Sequence, residues 1–264
     1  MTRLVKRIST LKLCAIFINI TLLISCENWN LTPLNASLTD GLIAYYPLNG
    51  NTLDESGNGL TGQLINGATY GADRRATSQS ALFLDGIDDY FEIPDNGKLR
   101  PDSMSISLWL NVRKVSATSH IYDKSNFSDH QNQQYSAFIR PPKAPNTGTA
   151  CCEIIVDVNN DGLCTVEQPI QNAVIHYAPT YEMNQWYHIV FVFAGQTDKL
   201  YINGVLKASQ KELTTNAIDR CAGGNLRFGA QASYDANYLS GTIDEIRLYN
   251  RGLKEPEIKA LYNR

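Results

Sequence analysis

The sequence lacks the short patterns that mark the common catalytic and zinc sites. Its four histidines, at positions 120, 130, 176 and 188, form no His-Glu-x-x-His pattern, and there is no Gly-x-Ser-x-Gly nucleophile elbow. No Cys-x-x-Cys pair is present, and no histidine adjoins the cysteines. These absences argue against a zinc enzyme, a structural zinc site and a serine hydrolase of the elbow type.

The chain also lacks the run of about 20 apolar residues that a transmembrane helix requires. Its N-terminus has four basic residues within the first 12 positions, and an apolar run over 13–24 that Asn19 and Thr21 interrupt. This pattern predicts a secretory signal peptide over 1–25, with a retained membrane anchor as the alternative.

Leu-Ile-Ser-Cys at 23–26 resembles the lipobox of bacterial lipoproteins. The resemblance implies cleavage before Cys26 and acylation of its thiol, and several acyl chains anchor a protein stably. The alternative is a simple cleaved signal with a chance cysteine. Residues 26–40 are polar and are predicted to form a tether. Glu27 stands where lipoproteins kept in the inner membrane usually carry aspartate, which favours the outer membrane of a Gram-negative cell envelope.

Positive charge is not in excess. The formal net charge is −3, and loss of the signal peptide, which has four basic and no acidic residues, would take it to −7. Such a chain would repel phosphate, so we expect no nucleic acid partner, and the membrane is expected as a partner only through the lipid anchor.

The body of the chain, 41–264, is predicted to be one all-β domain, since no linker or repeat divides it. Strand patterns separated by turn residues recur at 60–65, 81–84, 90–94, 105–112, 120–124, 135–140, 153–158, 173–177, 186–194, 199–202, 205–209, 225–229 and 242–249. Asn203-Gly204 and Asp85-Gly86 predict tight hairpins. The segment 253–262, with Pro256 in its first turn, predicts a short helix on the sandwich edge.

Several segments resemble, in order, those of laminin-G-like, concanavalin A-like domains. They are GLIAYYPL at 41–48, ALFLDGIDDY at 81–90, SISLWL at 105–110, WYHIV at 186–190, LYINGV at 200–205 and GTIDEIRLYNRGL at 241–253. The resemblance implies a two-sheet antiparallel jelly roll whose first and last strands meet. It leaves function open, because this fold hosts lectins, adhesion modules and hydrolases.

The resemblance also implies a structural calcium ion bound by Asp54 and Asp244, with Asn58 as a further ligand in a glycine-rich loop. An ordinary turn with solvated acids is the alternative. A second calcium candidate contains Asp157, Asn159 and Asp161, which repeat the first half of a helix-loop-helix calcium loop. Its twelfth position is Gln168 and its flanks are strand-like, so a β-turn is the favoured interpretation.

Four cysteines remain once Cys14 leaves with the signal and Cys26 is acylated. An even number in an exported domain predicts two disulfides. A bond between Cys151 and Cys152 would be strained, so one of them is expected to pair with Cys164 and the other with Cys221, in either combination.

No catalytic carboxylate pair is evident. Glu153 and Asp157 would lie about 13 Å apart along one strand, beyond the roughly 5.5 to 9.5 Å that glycosidases use. Asp244 and Glu245 are adjacent and should point to opposite faces. We therefore expect a non-enzymatic lipoprotein that binds glycan or protein at the cell surface. The alternatives are a polysaccharide hydrolase or lyase of the same fold and a structural envelope subunit.

Overall fold

A computed structural model describes residues 38–125, 133–141, 153–158, 173–177, 182–211, 217–232 and 235–264. The strands are β1 Leu42–Tyr46, β2 Gln63–Ile65, β3 Thr69–Gly71, β4 Ala81–Asp85, β5 Tyr90–Ile93, β6 Met104–Lys114, β7 Ser119–Ser125, β8 Gln133–Arg140, β9 Glu153–Val158, β10 Ala173–Tyr177, β11 Trp186–Phe193, β12 Thr197–Ile202, β13 Val205–Lys211, β14 Leu226–Phe228 and β15 Ser240–Tyr249. A 3-10 helix covers Gly97–Leu99, and helix α1 covers Glu255–Tyr262.

The described strands form two antiparallel sheets. One has eight strands in the order β13-β12-β11-β6-β15-β4-β3, with β1 also paired to β15, and the other has seven in the order β10-β9-β8-β7-β14-β5-β2. The first and last strands meet, with Tyr46 opposite Ile246. The predicted two-sheet jelly roll is confirmed.

The core lies between the inner faces of the sheets. Ile106, Leu108 and Leu110 of β6 are buried there, as their alternation predicts. Ser105 and Ser107, on the opposite face, are buried as well. Helix α1 explains this, because Ile258 and the residues around it form a second apolar cluster on that outer face. The helix therefore packs on the outer face of the eight-stranded sheet, and the prediction that it packs on the edge is wrong.

The two predicted hairpins have different outcomes. Asn203 and Gly204 have positive φ values of 50° and 76° and join β12 to β13, as predicted. The prediction of a hairpin at Asp85-Gly86 is wrong. Strand β4 pairs with β3 and β15, whereas β5 pairs with β2 and β14. The turn between Asp85 and Tyr90 thus carries the chain from one sheet to the other.

Candidate functional site

A polar groove opens beside the start of β1. It encloses about 490 Å³ and is lined by Gly41, Leu42, Ile43, Asn58, Gly97, Lys98, Arg100, Pro101, Asp102, Ser103, Arg220 and Asn250. Three of these residues are cationic and one, Asp102, is anionic. The groove is therefore suited to a polar ligand that carries negative charge.

The 3-10 helix places Lys98 at the groove. Asn96 caps the helix by accepting a hydrogen bond from the Lys98 amide at 3.0 Å, and the Tyr135 hydroxyl donates to the Leu99 carbonyl at 2.9 Å. Because Leu99 is fully buried, the backbone is fixed and the Lys98 side chain remains outside. Its Nζ donates to Asn58 Oδ1 at 2.7 Å.

Asp95 holds the segments that carry the two arginines. Its Oδ2 lies 3.3 Å from Arg100 Nη2 and accepts from the Gly223 amide at 2.9 Å, three residues beyond Arg220. Its Oδ1 accepts from Lys124 Nζ at 2.7 Å. Burial alone would raise the pKa of Asp95, but the hydrogen bonds from Lys124 and Gly223 outweigh it, and the pKa is lowered.

The side chains of Arg100 and Arg220 differ in how exposed they are and how firmly they are held. The Arg100 side chain is 22% exposed, and its Nε is buried without a hydrogen-bond partner among the described residues. Arg220 is 65% exposed and lies 3.3 Å from the Asp102 carboxylate, a weak surface pair that a ligand could displace at little cost. Arg100 thus provides a fixed charge and Arg220 an adjustable one.

A second polar cluster lies on the outer face of the eight-stranded sheet. Asp244 Oδ2 pairs with Arg74 Nη1 at 3.0 Å, and the Arg74 guanidinium lies 4.6 Å from the centre of the Trp109 ring. Tyr262 stacks on Trp109 at 5.7 Å. Since Arg74 and Tyr262 both pack on this ring, Trp109 serves packing, as its position in the motif suggests.

The sequence profile of the Concanavalin A-like lectin/glucanases superfamily matches residues 85–259. The chain belongs to this superfamily. A search of the curated proteins finds no match.

Solved structures support the superfamily fold. Domain 4 of AbnA, a GH43 extracellular arabinanase from Geobacillus stearothermophilus solved with arabinotriose, is 18% identical with a TM-score of 0.61, over 84% of this chain and 98% of that domain. The botulinum neurotoxin serotype D ligand binding domain, solved with N-acetylneuraminic acid, is 18% identical with a TM-score of 0.61, over 87% of this chain and 52% of that one. The binding domain of Paraclostridial Mosquitocidal Protein 1 is 16% identical with a TM-score of 0.62, over 86% and 52%. This chain therefore spans about half of each toxin binding domain.

In this superfamily member the predicted calcium ligands have separate partners. Asp54 accepts three backbone hydrogen bonds, from Tyr45 and Ser56 on Oδ1 and from Leu60 on Oδ2, at 2.9 to 3.0 Å. Asp244 faces the Arg74 guanidinium, and Asn58 Oδ1 accepts from an ammonium group. No described contact joins Asp54 to Asp244. An ion shared by Asp54, Asp244 and Asn58 would replace Arg74 at Asp244 and Lys98 at Asn58. Calcium at these positions stays a prediction.

The adjacent acids of β15 do not point to opposite faces. A β-bulge lies between Asp244 and Arg247, and Glu245 within it has φ 56°. Glu245 then contacts Arg247 at 2.6 Å and accepts from the Tyr45 hydroxyl at 3.2 Å. Burial, followed by the charge of Glu245, raises the pKa of Asp244 to about 7, against the opposing effect of Arg74.

The second calcium candidate is only partly described. Asp157 lies inside β9, opposite Ser136 of β8, so the strand continues where the predicted loop would begin. Asn159 and Asp161 lie outside the described residues. Glu153, at the start of β9, pairs with Arg140 at 2.8 Å.

Strand pairing also aligns a row of polar residues that the sequence does not reveal. Across neighbouring strands of the seven-stranded sheet lie Glu92, Arg227, Asp123, Ser136 and Asp157. Asp123 is buried, and its Oδ2 accepts from the Ala232 amide at 2.7 Å. Polar alternation within each strand was the available signal, but it does not give the register between strands. We interpret Asp123 as a residue that fixes the neighbouring turn.

Of the predicted cysteines, Cys221 is buried and disulfide-bonded. Cys151, Cys152 and Cys164 lie outside the described residues, so its partner stays a prediction. Cys26 and the signal peptide also lie outside them. Among the described residues, no helix has the length and hydrophobicity that a membrane crossing requires.

Proposed function

We propose that this chain is a glycan-binding module whose groove accepts a saccharide with carboxylate groups. The observation that carries the proposal is the convergence of Lys98, Arg100 and Arg220 on a polar cavity that holds one carboxylate. Hydrogen bonds between such cations and a carboxylate are short and about twice as strong as neutral ones. Two proteins that contain this fold were solved in complex with arabinotriose and with N-acetylneuraminic acid, which supports a glycan as the ligand class.

We further propose that the module binds its ligand without cleaving it. The groove offers one carboxylate, Asp102, whereas glycoside hydrolysis ordinarily uses two. The two adjacent acids of β15 are paired with arginines, Asp244 with Arg74 and Glu245 with Arg247. Incubation of the protein with acidic and neutral polysaccharides is therefore expected to produce no new reducing ends. Their appearance, and their loss in a variant of a buried acid, would favour the hydrolase alternative.

The proposed setting is the cell envelope. An acylated Cys26 and a tether over 26–40 would hold the module at the outer membrane, where it would meet surface glycans or proteins. Labelling of the expressed protein with a radioactive fatty acid tests this setting independently of binding. A Cys26→Ser variant that still takes up label would contradict it.

The binding test compares two ligands that differ by one carboxylated sugar, 3′-sialyllactose and lactose. We expect the full chain to prefer sialyllactose in calorimetric titration, and the preference to weaken as salt is raised. Arg220→Gln and Lys98→Gln should each weaken sialyllactose binding about tenfold, given the usual strength of hydrogen bonds to charged groups. Lys207→Gln, which removes an exposed charge on β13, is the matched control.

Two results would overturn the groove assignment. One is binding of sialyllactose that the Arg220 and Lys98 variants leave unchanged. The other is a glycan array without any signal, which would direct the search to a protein ligand by affinity capture with the same variants.

A further inference from the structure

The turn that carries the chain between the two sheets contains three aspartates. Asp85, Asp88 and Asp89 each place a carboxylate oxygen within 4.8 Å of the others. The turn begins where β4 ends in the eight-stranded sheet, and it ends where β5 begins in the seven-stranded sheet. Three carboxylates therefore meet at the junction of the two layers.

Asp89 is the buried member of this cluster, at 2% exposure. Its Oδ2 accepts a hydrogen bond from the Asp85 amide at 3.1 Å. Its Oδ1 is buried and has no hydrogen-bond partner among the described residues. A buried carboxylate oxygen without a partner is costly, which points to a ligand that the protein atoms do not supply.

Within the described part of the chain, cationic side chains do not fill this role. None of the salt bridges between described residues includes Asp85, Asp88 or Asp89. The charged groups that act on Asp89 are the carboxylates of Asp85 and Asp88 themselves. Burial first, and then the side-chain hydrogen bond and the charges of these neighbours, raise the pKa of Asp89 to about 6, against the opposing hydrogen bond from the Asp85 amide. The cluster thus lacks a positive charge of its own.

We propose that Asp85, Asp88 and Asp89 bind a divalent cation, calcium, at the junction of the two sheets. Calcium takes six to eight oxygen ligands in a flexible geometry, and three carboxylates from a short turn can be completed by backbone carbonyls and water. The ion supplies a partner for the buried Asp89 Oδ1 and offsets the repulsion between the three charges. Because the turn joins the layers, bound calcium stabilises their association.

The backbone of the turn is suited to such a site. Gly86 has φ 82°, and a Cβ there would lie 2.7 Å from Ser240 Cβ. The close approach of β15 fixes the first half of the turn. The Asn66 side chain fixes the second half by donating to the Asp88 carbonyl at 3.0 Å. The carboxylates are therefore held together before an ion arrives.

The test is a titration of the chelator-treated full chain with CaCl2, and in parallel with MgCl2, by calorimetry and by thermal unfolding. We expect calcium to raise Tm by about 5 °C at a hundred times its Kd. Asp88→Asn, at an exposed position, should lose one bound calcium per chain and most of the rise in Tm. Asp89→Asn should also lose one bound calcium per chain. Its Tm without calcium should not fall, because the change removes the repulsion between the Asp89 carboxylate and those of Asp85 and Asp88.

Glu182→Gln, which removes an exposed charge from another loop, is the control and should bind calcium as the unmodified chain does. The proposal fails if the unmodified chain shows no calcium-dependent change, or if Asp88→Asn and Asp89→Asn retain full stoichiometry. If Asp54→Asn loses the bound calcium instead, the ion lies in the glycine-rich loop and the proposed site at the junction is overturned. Neither result bears on glycan binding in the groove.

Discussion

Asp95 and Lys124 form an ion pair beside Arg100 of the groove, with 2.7 Å between Oδ1 and Nζ. The Lys124 side chain is fully buried and also donates to the Gly224 carbonyl at 2.6 Å. Asp95 contacts Arg100 and the Gly223 amide. The pair therefore links the core of the seven-stranded sheet to both segments that supply the arginines of the groove.

The Asp95–Lys124 pair gives the first prediction. Asp95→Asn leaves a buried ammonium without its counter-charge and should lower the free energy of unfolding by about 3 to 5 kcal/mol in urea titration. Asp102→Asn, at an exposed acid of the same groove, should change it by less than about 1 kcal/mol. A double variant with Lys124→Met should recover part of the loss. Equal effects of the Asp95 and Asp102 changes would refute the structural role of the pair.

The raised pKa of Asp244 predicts that the stability of the folded chain depends on pH. Its pKa is about 7 in the folded chain, against 3.8 as the ordinary value, so between these limits the folded state holds a proton that the unfolded state has lost. Its contribution to stability is therefore largest below about pH 4 and declines as the pH rises to about 7. Asp244→Asn should remove a decline of about 4 kcal/mol, measured as the unfolding free energy at several pH values.

Arg74→Met provides the matched comparison for Asp244. Arg74 lowers the pKa of Asp244, so its removal should raise that pKa further and extend the same decline to higher pH. A difference between Asp244→Asn and the unmodified chain that stays constant across pH would show that Asp244 titrates normally.

His188 predicts the opposite dependence. Burial, with the nearby charges of Arg247 and Arg74, lowers its pKa to about 3, so the folded state keeps it neutral while the unfolded state takes up a proton near pH 6.5. The contribution of His188 is present above that pH and is lost as the pH falls. The Ser107 hydroxyl lies 2.9 Å from His188 Nε2, and a glutamine at this position can still bond to it. When the pH falls from 7 to 4, the unfolding free energy of His188→Gln should therefore drop by about 3 kcal/mol less than that of the unmodified chain. Parallel curves for the two proteins would contradict this.

The strands could be predicted from the sequence because their signal is local. Alternation in β6 places Ile106, Leu108 and Leu110 on one face whatever the partner strand is. The role of Asp85-Gly86 could not be predicted in this way. Asp-Gly is a residue pair that tight hairpins prefer. However, β4 and β5 pair with β15 and β14, which lie far along the chain and belong to different sheets.

The groove could not be predicted for a related reason. Arg100 and Arg220 are distant in sequence, and they line one groove because contacts join their segments, among them those of Asp95 with Arg100 and with the Gly223 amide. The bulge in β15 likewise breaks the alternation from which Asp244 and Glu245 were assigned to opposite faces. Local patterns therefore gave the elements, while the charged sites depend on contacts between remote segments.

A substitution at Gly241 tests how closely β15 packs against β6, the two strands that carry Asp244 and Trp109. Gly241 lies in β15 between β6 and β4, and a Cβ there would lie 2.5 Å from the Asn111 carbonyl oxygen, a backbone atom that cannot turn away. Gly241→Ala should therefore force the two central strands apart and cost about 3 kcal/mol in urea unfolding. Gly97→Ala, where an added Cβ meets open space, is the control and should stay within about 0.5 kcal/mol. If the two variants are equally stable, β15 is not held as closely to β6 as its pairing indicates.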